Sequence, residues 1–232
     1  MMSEVLWPPP PTLPGRVTTV KLSEGTVLYR VHDRNYHGDA FNERVEDTHF
    51  RGTRFGGTRD DPYPVLYAAR HPDTALLETL LHDSAFESRG VRTLLHDEVS
   101  KYKFTTLRLN ADVELTSLRG AEALGAVAAT NWLTDCTKES YGLSRRWARF
   151  IRQQVPTSQG LAWSSKRDDG REAVALFGDR FREPHAVRAR VDYVAVVSLA
   201  GAPSIDFGED DGIRWLNKRL HRYRAVVLDP GS

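Results

Sequence analysis

Pro64-Val65-Leu66-Tyr67-Ala68-Ala69-Arg70-His71-Pro72-Asp73-Thr74-Ala75-Leu76-Leu77-Glu78-Thr79-Leu80-Leu81-His82-Asp83 reads as a short strand followed at once by a helix. The run Pro64–Ala68 is apolar without polar alternation, the pattern of a strand buried on both faces. Pro72 marks a helix start at Asp73, and Ala75, Leu76, Leu77, Leu80 and Leu81 make an apolar stripe that ends near Asp83. At 100° per residue Glu78 falls beside that stripe, between Leu77 and the Leu81 column. A carboxylate there is costly to bury unless it is paired or useful. His82, four residues on, shares the face, so two readings stand: an ordinary Glu–His pair at the edge of the core, or a catalytic carboxylate on a pocket floor. A metal is not expected, because the zincin pattern is absent and no third ligand accompanies Glu78 and His82.

Working outward, further strand-like runs lie at Thr18–Leu22, Thr26–His32, Tyr102–Asn110, Gly160–Ser164, Ala173–Phe177, Val191–Ser198 and Ala225–Leu228. Two more helical patterns span Ser140–Gln154 and Asp211–Tyr223. Strands and helices follow in irregular order, which predicts an α+β fold with a mixed or antiparallel β core and flanking helices. The 232 residues suit one elaborated domain over 16–232, preceded by a proline-rich leader over 1–15. With 32 Lys+Arg against 31 Asp+Glu, the net charge of +1 supplies no global field for nucleic acid or an anionic membrane. An apolar content of 40% excludes disorder as the main state. The single cysteine, Cys136, forbids an internal disulfide framework and a Cys-rich zinc site. No apolar run is long enough for a membrane span, and the leader has no basic residue before Arg16, so a cytoplasmic location is expected.

Strict alternation in Val27-Leu28-Tyr29-Arg30-Val31-His32 puts Leu28, Arg30 and His32 on one strand face. Arg30 reads as a strand-edge arginine reaching water or as an anion clamp. The segment Asp33 to Asp61 has no clear period and is the first place to look for a site. Within it, Arg51, Arg54 and Arg59 are interleaved with Gly52, Gly56 and Gly57, either as a phosphate-binding loop or as a solvated turn cluster. The glycine spacing fits neither the Walker loop nor the dinucleotide fingerprint. Gly160 to Gly170 reads as a strand ending in a polar turn; no nucleophile elbow surrounds Ser165, so triad hydrolysis is not indicated. Arg145, Arg146, Arg149 and Arg152 form a basic helix face that suits a nucleic acid, an acidic partner or plain solvent. A non-catalytic RNA- or partner-binding module working through this face is the different-class alternative, weakened by the near-zero net charge and the missing aromatic platform.

Taken together, Leu28-Tyr29-Arg30-Val31, Phe41-Asn42, Gly52-Thr53-Arg54-Phe55, Pro64 to Ala69, Ala75 to Asp83 and Gly160 to Ser165 resemble the RES-domain family. The resemblance covers roughly Thr26 to Phe177. It implies a fold similar to ADP-ribosyltransferase toxins and the role of a type II toxin that depletes NAD+ and is neutralised by an Xre-type antitoxin. Implied site residues are Glu78, Arg30 and Ser165 for catalysis, with Arg30, Arg54, Tyr67, Ser165 and Asn42 binding NAD+. Arg51 or Arg59 remains open as sharing the role of Arg54, and Ser164 as a substitute for Ser165. NAD+ is implied as substrate, with water or inorganic phosphate as acceptor and no resident cofactor; protein ADP-ribosylation is the close alternative. The partners implied are NAD+ and the antitoxin, with room for a homo-oligomer inside that complex, and neither a membrane nor direct nucleic-acid contact. The chemistry suits these residue types: a carboxylate stabilises the oxocarbenium-like state of glycosidic cleavage, and guanidinium forks hold a pyrophosphate.

Overall fold

The computed structural model describes residues 8–48, 51–168, 170–181 and 196–228. Its strands are β1 (Thr19–Leu22), β2 (Val27–Asp33), β3 (Val65–Ala69), β4 (Arg92–Leu95), β5 (Tyr102–Leu109), β6 (Val113–Ser117), β7 (Gly160–Ser164), β8 (Glu172–Phe177), β9 (Val197–Leu199), β10 (Ile205–Asp206) and β11 (Ala225–Leu228). The helices are α1 (Pro72–Leu80), α2 (His96–Val99), α3 (Gly120–Ala126), α4 (Trp132–Asp135), α5 (Tyr141–Gln154) and α6 (Asp210–Leu220). Residues 191–195 of the expected Val191–Ser198 strand lie outside the described residues, and β9 continues from their end.

Nine strands form one sheet in the order β1-β6-β7-β8-β3-β2-β5-β10, with β9 also on β5; every pairing is antiparallel except β6 with β7. A separate parallel pair joins β11 to β4. The fold is therefore α+β, with a mostly antiparallel core. Antiparallel register keeps opposed residues on one face. Tyr29 meets Ala69, Ala69 meets Ala173, and Ala173 meets Trp163, so these four side chains form a row across the middle of the sheet. Tyr67 and Val65 lie on the same face, which is covered by Phe55 and by Trp147, Ala148 and Ile151 of α5. The opposite face gathers Leu28, Leu66, Leu107, Leu115, Val174 and Leu176 into a second core. A third core lies where α1 and α6 meet β4, β5 and β11.

Strands β2 and β3 share only the Tyr29–Ala69 pair, and they diverge from it to leave room for a cavity. The start of α1 is fixed by more than propensity. His71 caps it by accepting the Asp73 amide at 3.2 Å, and Pro72 occupies the first turn, where its missing N–H costs nothing. Asp73 is buried, and its carboxylate accepts from Arg219 (3.1 Å), Arg222 (3.1 Å) and the Tyr223 hydroxyl (3.0 Å). This clamp ties α1 to the end of α6. The Thr74 hydroxyl donates to Asp168 at 2.5 Å and ties α1 to the turn after β7. Near the chain start, Leu13 and Val17 pack on the first core. Among the described residues, no helix is long and apolar enough to cross a membrane.

Candidate active site

Two residues before the end of α1 at Leu80, Glu78 points back at the sheet, with its side chain 17% exposed. Ser165, buried in the turn after β7, donates its hydroxyl to Glu78 Oε1 at 2.6 Å. The same hydroxyl accepts the Arg167 amide at 3.1 Å, which sets its direction. Ser164 turns elsewhere, toward Arg119 Nε at 3.5 Å. Geometry therefore gives the contact with Glu78 to Ser165.

On the other side of Glu78, Arg54 Nη1 lies 3.9 Å from Oε2. Arg54 is 6% exposed, with its guanidinium carbon 5.9 Å from the ring centres of both Phe55 and Trp163, within the range of cation–π attraction. The loop that carries it is held from three directions. Tyr67 Oη accepts the Phe55 amide at 2.7 Å, the Ser144 hydroxyl donates to the Arg54 carbonyl at 2.7 Å, and Arg145 donates to the carbonyls of Arg51 (2.8 Å), Thr53 (3.3 Å) and Thr48. Burial pushes the Tyr67 phenol up to about 12, so it stays protonated while its half-buried ring lines the cavity. Arg51 is exposed, and Arg59 pairs with Asp47 at 3.0 Å on the surface, so Arg54 is the arginine of this loop that meets the carboxylate. Of the three glycines only Gly52 borders the cavity; Gly57 instead lets the loop press on the Tyr63 backbone, which an added Cβ would meet at 2.7 Å. The loop is not a freely solvated turn: Phe55 at its centre is fully buried, while Arg51 and Gly52 at its start are exposed.

The cavity over Arg54 and Glu78 measures about 320 Å³, at the lower end of ligand-pocket sizes, and Ser165 lies behind Glu78 rather than on its lining. Tyr29, Tyr67, Tyr102, Tyr141 and Trp163 supply aromatic walls, and Arg30, Arg54 and Lys138 outnumber the carboxylates Glu78 and Asp83 on its lining. Among the described residues no group of three or more His, Cys, Asp or Glu side chains could hold a metal ion.

Two expected residues are placed differently from the others. Arg30 borders the cavity, but it shares its strand face with Leu28 and His32 and is 9% exposed. Its Nη1 donates to the carbonyls of Gly38 (2.8 Å) and Ala40 (2.7 Å), and these contacts, not Glu78, hold the guanidinium. Burial lowers its pKa to about 10, which leaves it a cation at neutral pH, held by the two carbonyls. Asn42 is exposed and does not line the cavity; its backbone bridges Val65 and its side chain accepts the Arg44 amide at 3.1 Å. A turn-forming role accounts for these contacts.

The basic helix face is also corrected. Arg145 is 1% exposed and spent on loop carbonyls, while Arg152 is 4% exposed, bound to Asp61 (3.0 Å) and Asp179 (2.8 Å) and seated 3.6 Å from the Tyr63 ring centre. Arg149 pairs with Asp60 at 3.0 Å. Much of this face is interior rather than a free surface. Sequence reasoning missed Ser144, Arg145 and Asp73 as anchors of the site, because their partners lie on distant segments.

The family model of the RES domain matches residues 27–198. The chain belongs to the RES domain family. That match spans the cavity and every residue of the Arg54, Glu78 and Ser165 cluster. A chain in the crystal structure of the M. tuberculosis MbcT-MbcA toxin-antitoxin complex has a similar fold, with a TM-score of 0.53 at 15% identity, covering 81% of this RES chain and 86% of that one. No curated protein matches the sequence.

Proposed function

We propose that this RES protein is the toxin of a toxin–antitoxin pair and that it destroys NAD+ by breaking the nicotinamide–ribose bond, with water or inorganic phosphate as acceptor. The observation that carries this reading is the Ser165–Glu78–Arg54 cluster: a carboxylate fixed by a buried hydroxyl and flanked by a guanidinium, under aromatic walls. Cleavage builds positive charge on the ribose, and Glu78, already oriented, lowers the energy of that state without reorganising. Arg54 then binds the substrate's phosphates, and Tyr67 and Trp163 offer flat apolar faces to nicotinamide or ribose. Nicotinamide is a good leaving group, so no second carboxylate is needed as a strong acid. Membership of the RES family and the likeness to a chain of a toxin-antitoxin complex support the toxin role and an antitoxin partner, here of Xre type, seated over the cavity mouth.

The test is timed nicotinamide release from NAD+ with and without added phosphate, run beside cell extract and labelled NAD+. Free nicotinamide with ADP-ribose or its phosphorylated form supports the proposal. A labelled protein band in place of free product transfers the same site to protein ADP-ribosylation, and no nicotinamide under any condition removes the reading.

A further inference from the structure

Arg54 has a second partner besides Glu78. Its Nη2 lies 2.7 Å from His82 Nε2, and His82 Nδ1 lies 2.6 Å from Asp83 Oδ1. Asp83 in turn meets Lys138 Nζ at 3.2 Å. A guanidinium has donors only, so the nitrogen facing it must carry a lone pair. His82 Nε2 therefore accepts from Arg54, and the ring proton sits on Nδ1, where it is donated to Asp83. One tautomer satisfies both contacts. The side chain of His82 is 10% exposed, so water does not replace these partners freely.

The choice of a neutral ring has an electrostatic consequence. A carboxylate at 2.7 Å would fix Arg54 equally well, but it would also cancel its charge. An imidazole acceptor fixes the direction of the guanidinium and leaves the charge to act on a ligand. The remaining carboxylate near Arg54, Glu78, stands at 3.9 Å, outside hydrogen-bond distance. Among the described residues, the buried Arg54 Nε has no hydrogen-bond partner.

We infer that His82 is a positioning residue: as a neutral acceptor oriented by Asp83, it aims the Arg54 guanidinium into the cavity beside Glu78 without neutralising it. This rests on the NAD+ reading of the cavity for its catalytic readout, though not for its structural one. The spacing of Glu78 and His82 is thereby explained: the two side chains do not pair with each other but converge on the same arginine.

The experiment compares His82→Ala, His82→Gln and His82→Glu in the nicotinamide-release assay, with kcat and KM for NAD+ separated, and reads the imidazole of wild type and Asp83→Asn by 15N NMR. Losing a hydrogen bond to a charged group predicts that His82→Ala lowers kcat/KM about 10-fold or more, mainly through KM. His82→Gln, whose side-chain carbonyl accepts from Arg54, recovers most of that loss; His82→Glu, which cancels the arginine's charge, does not. The NMR signals of wild type show Nδ1 protonated and Nε2 bare, and Asp83→Asn weakens that preference. His82→Ala at the wild-type level, His82→Gln no better than His82→Ala, or a ring protonated on Nε2 overturns the inference. If wild type itself releases no nicotinamide, the NAD+ reading falls, and the 15N tautomer alone still decides for or against His82 as the acceptor of Arg54.

Discussion

Replacing Ser165 by alanine removes one hydroxyl and leaves the rest of the site in place. In the structure that hydroxyl is the donor to Glu78 Oε1 at 2.6 Å, inside a residue only 1% exposed, so water cannot readily take over its role. A hydrogen bond to a charged group contributes about 1.5–3 kcal/mol. With a tenfold change for each ~1.4 kcal/mol, kcat/KM for nicotinamide release should fall about 10- to 150-fold. The loss should be smaller than that from removing the carboxylate itself, because Ser165 orients the charge and does not carry it. The variant also strands the Arg167 amide, which donates to the same oxygen at 3.1 Å. About 1 kcal/mol of lost stability should lower Tm by about 2–4 °C for a chain of this size. Initial-rate assays over a range of NAD+ concentrations, paired with thermal melts, measure both effects. Ser164→Ala is the control: its hydroxyl meets Arg119 at 3.5 Å and no other hydrogen-bond partner among the described residues, and rates should stay within about twofold. A Ser165→Ala enzyme that keeps wild-type kcat/KM, or a Ser164→Ala enzyme equally impaired, would refute the orientation argument.

Other parts of the structure give further expectations. Asp73→Ala breaks the clamp on α1; breaking a buried pair costs about 3–5 kcal/mol, reduced to about 2–3 here because Arg219 and Arg222 have side chains 32% and 61% exposed, so Tm should drop by about 4–12 °C in a thermal melt. His32 is buried, and burial lowers its pKa from 6.5 to about 4, with Arg30 and Lys103 adding repulsion against the opposing pull of Asp33. The unfolded chain thus binds the extra proton first, so His32's contribution is intact above pH 6.5 and is lost as pH falls toward 4, a change of about 3 kcal/mol. Urea titrations at pH 7 and pH 4.5 should show wild type losing more stability than His32→Gln across that interval; equal losses would contradict the burial argument. Arg149→Ala removes an exposed pair with Asp60 and should leave growth inhibition and nicotinamide release intact, whereas loss of toxicity would revive the basic-face alternative.

How much of this was legible beforehand depends on whether the signal was local. Strand β3, one residue on from the expected 64–68 run, and helix α1 announce themselves through an apolar run, Pro72 and a leucine stripe, and β7 and β11 have the ends their bounding residues indicate. Strand β4 is four residues long and is made by its parallel pairing with β11, more than a hundred residues away, so its own sequence carries little pattern. Strand β6 did carry one: Val113 and Leu115 are buried while Glu114 is exposed, an alternation that was there to be read. At the site, the types and segments of Arg54, Glu78 and Ser165 were visible through the family resemblance, but their convergence was not, because it is made by the sheet order. Arginine burial was the least legible feature. Periodicity places Arg145 and Arg152 on a helix face; only the fold brings the carbonyls of Thr48 and Thr53 and the carboxylates of Asp61 and Asp179 to meet them. The carbonyl partners of Arg30 were hidden for the same reason, being set by how the 38–40 loop returns to β2.

The central claim is that Glu78, held between Ser165 and Arg54, stabilises the charge that develops when the nicotinamide–ribose bond breaks. Glu78→Gln keeps the shape and the Ser165 contact but removes the charge, so it tests that claim alone. With wild type and variant matched for Tm, nicotinamide release should fall by about 10²–10³-fold in kcat; a well-folded Glu78→Gln protein that releases nicotinamide at the wild-type rate would contradict the account.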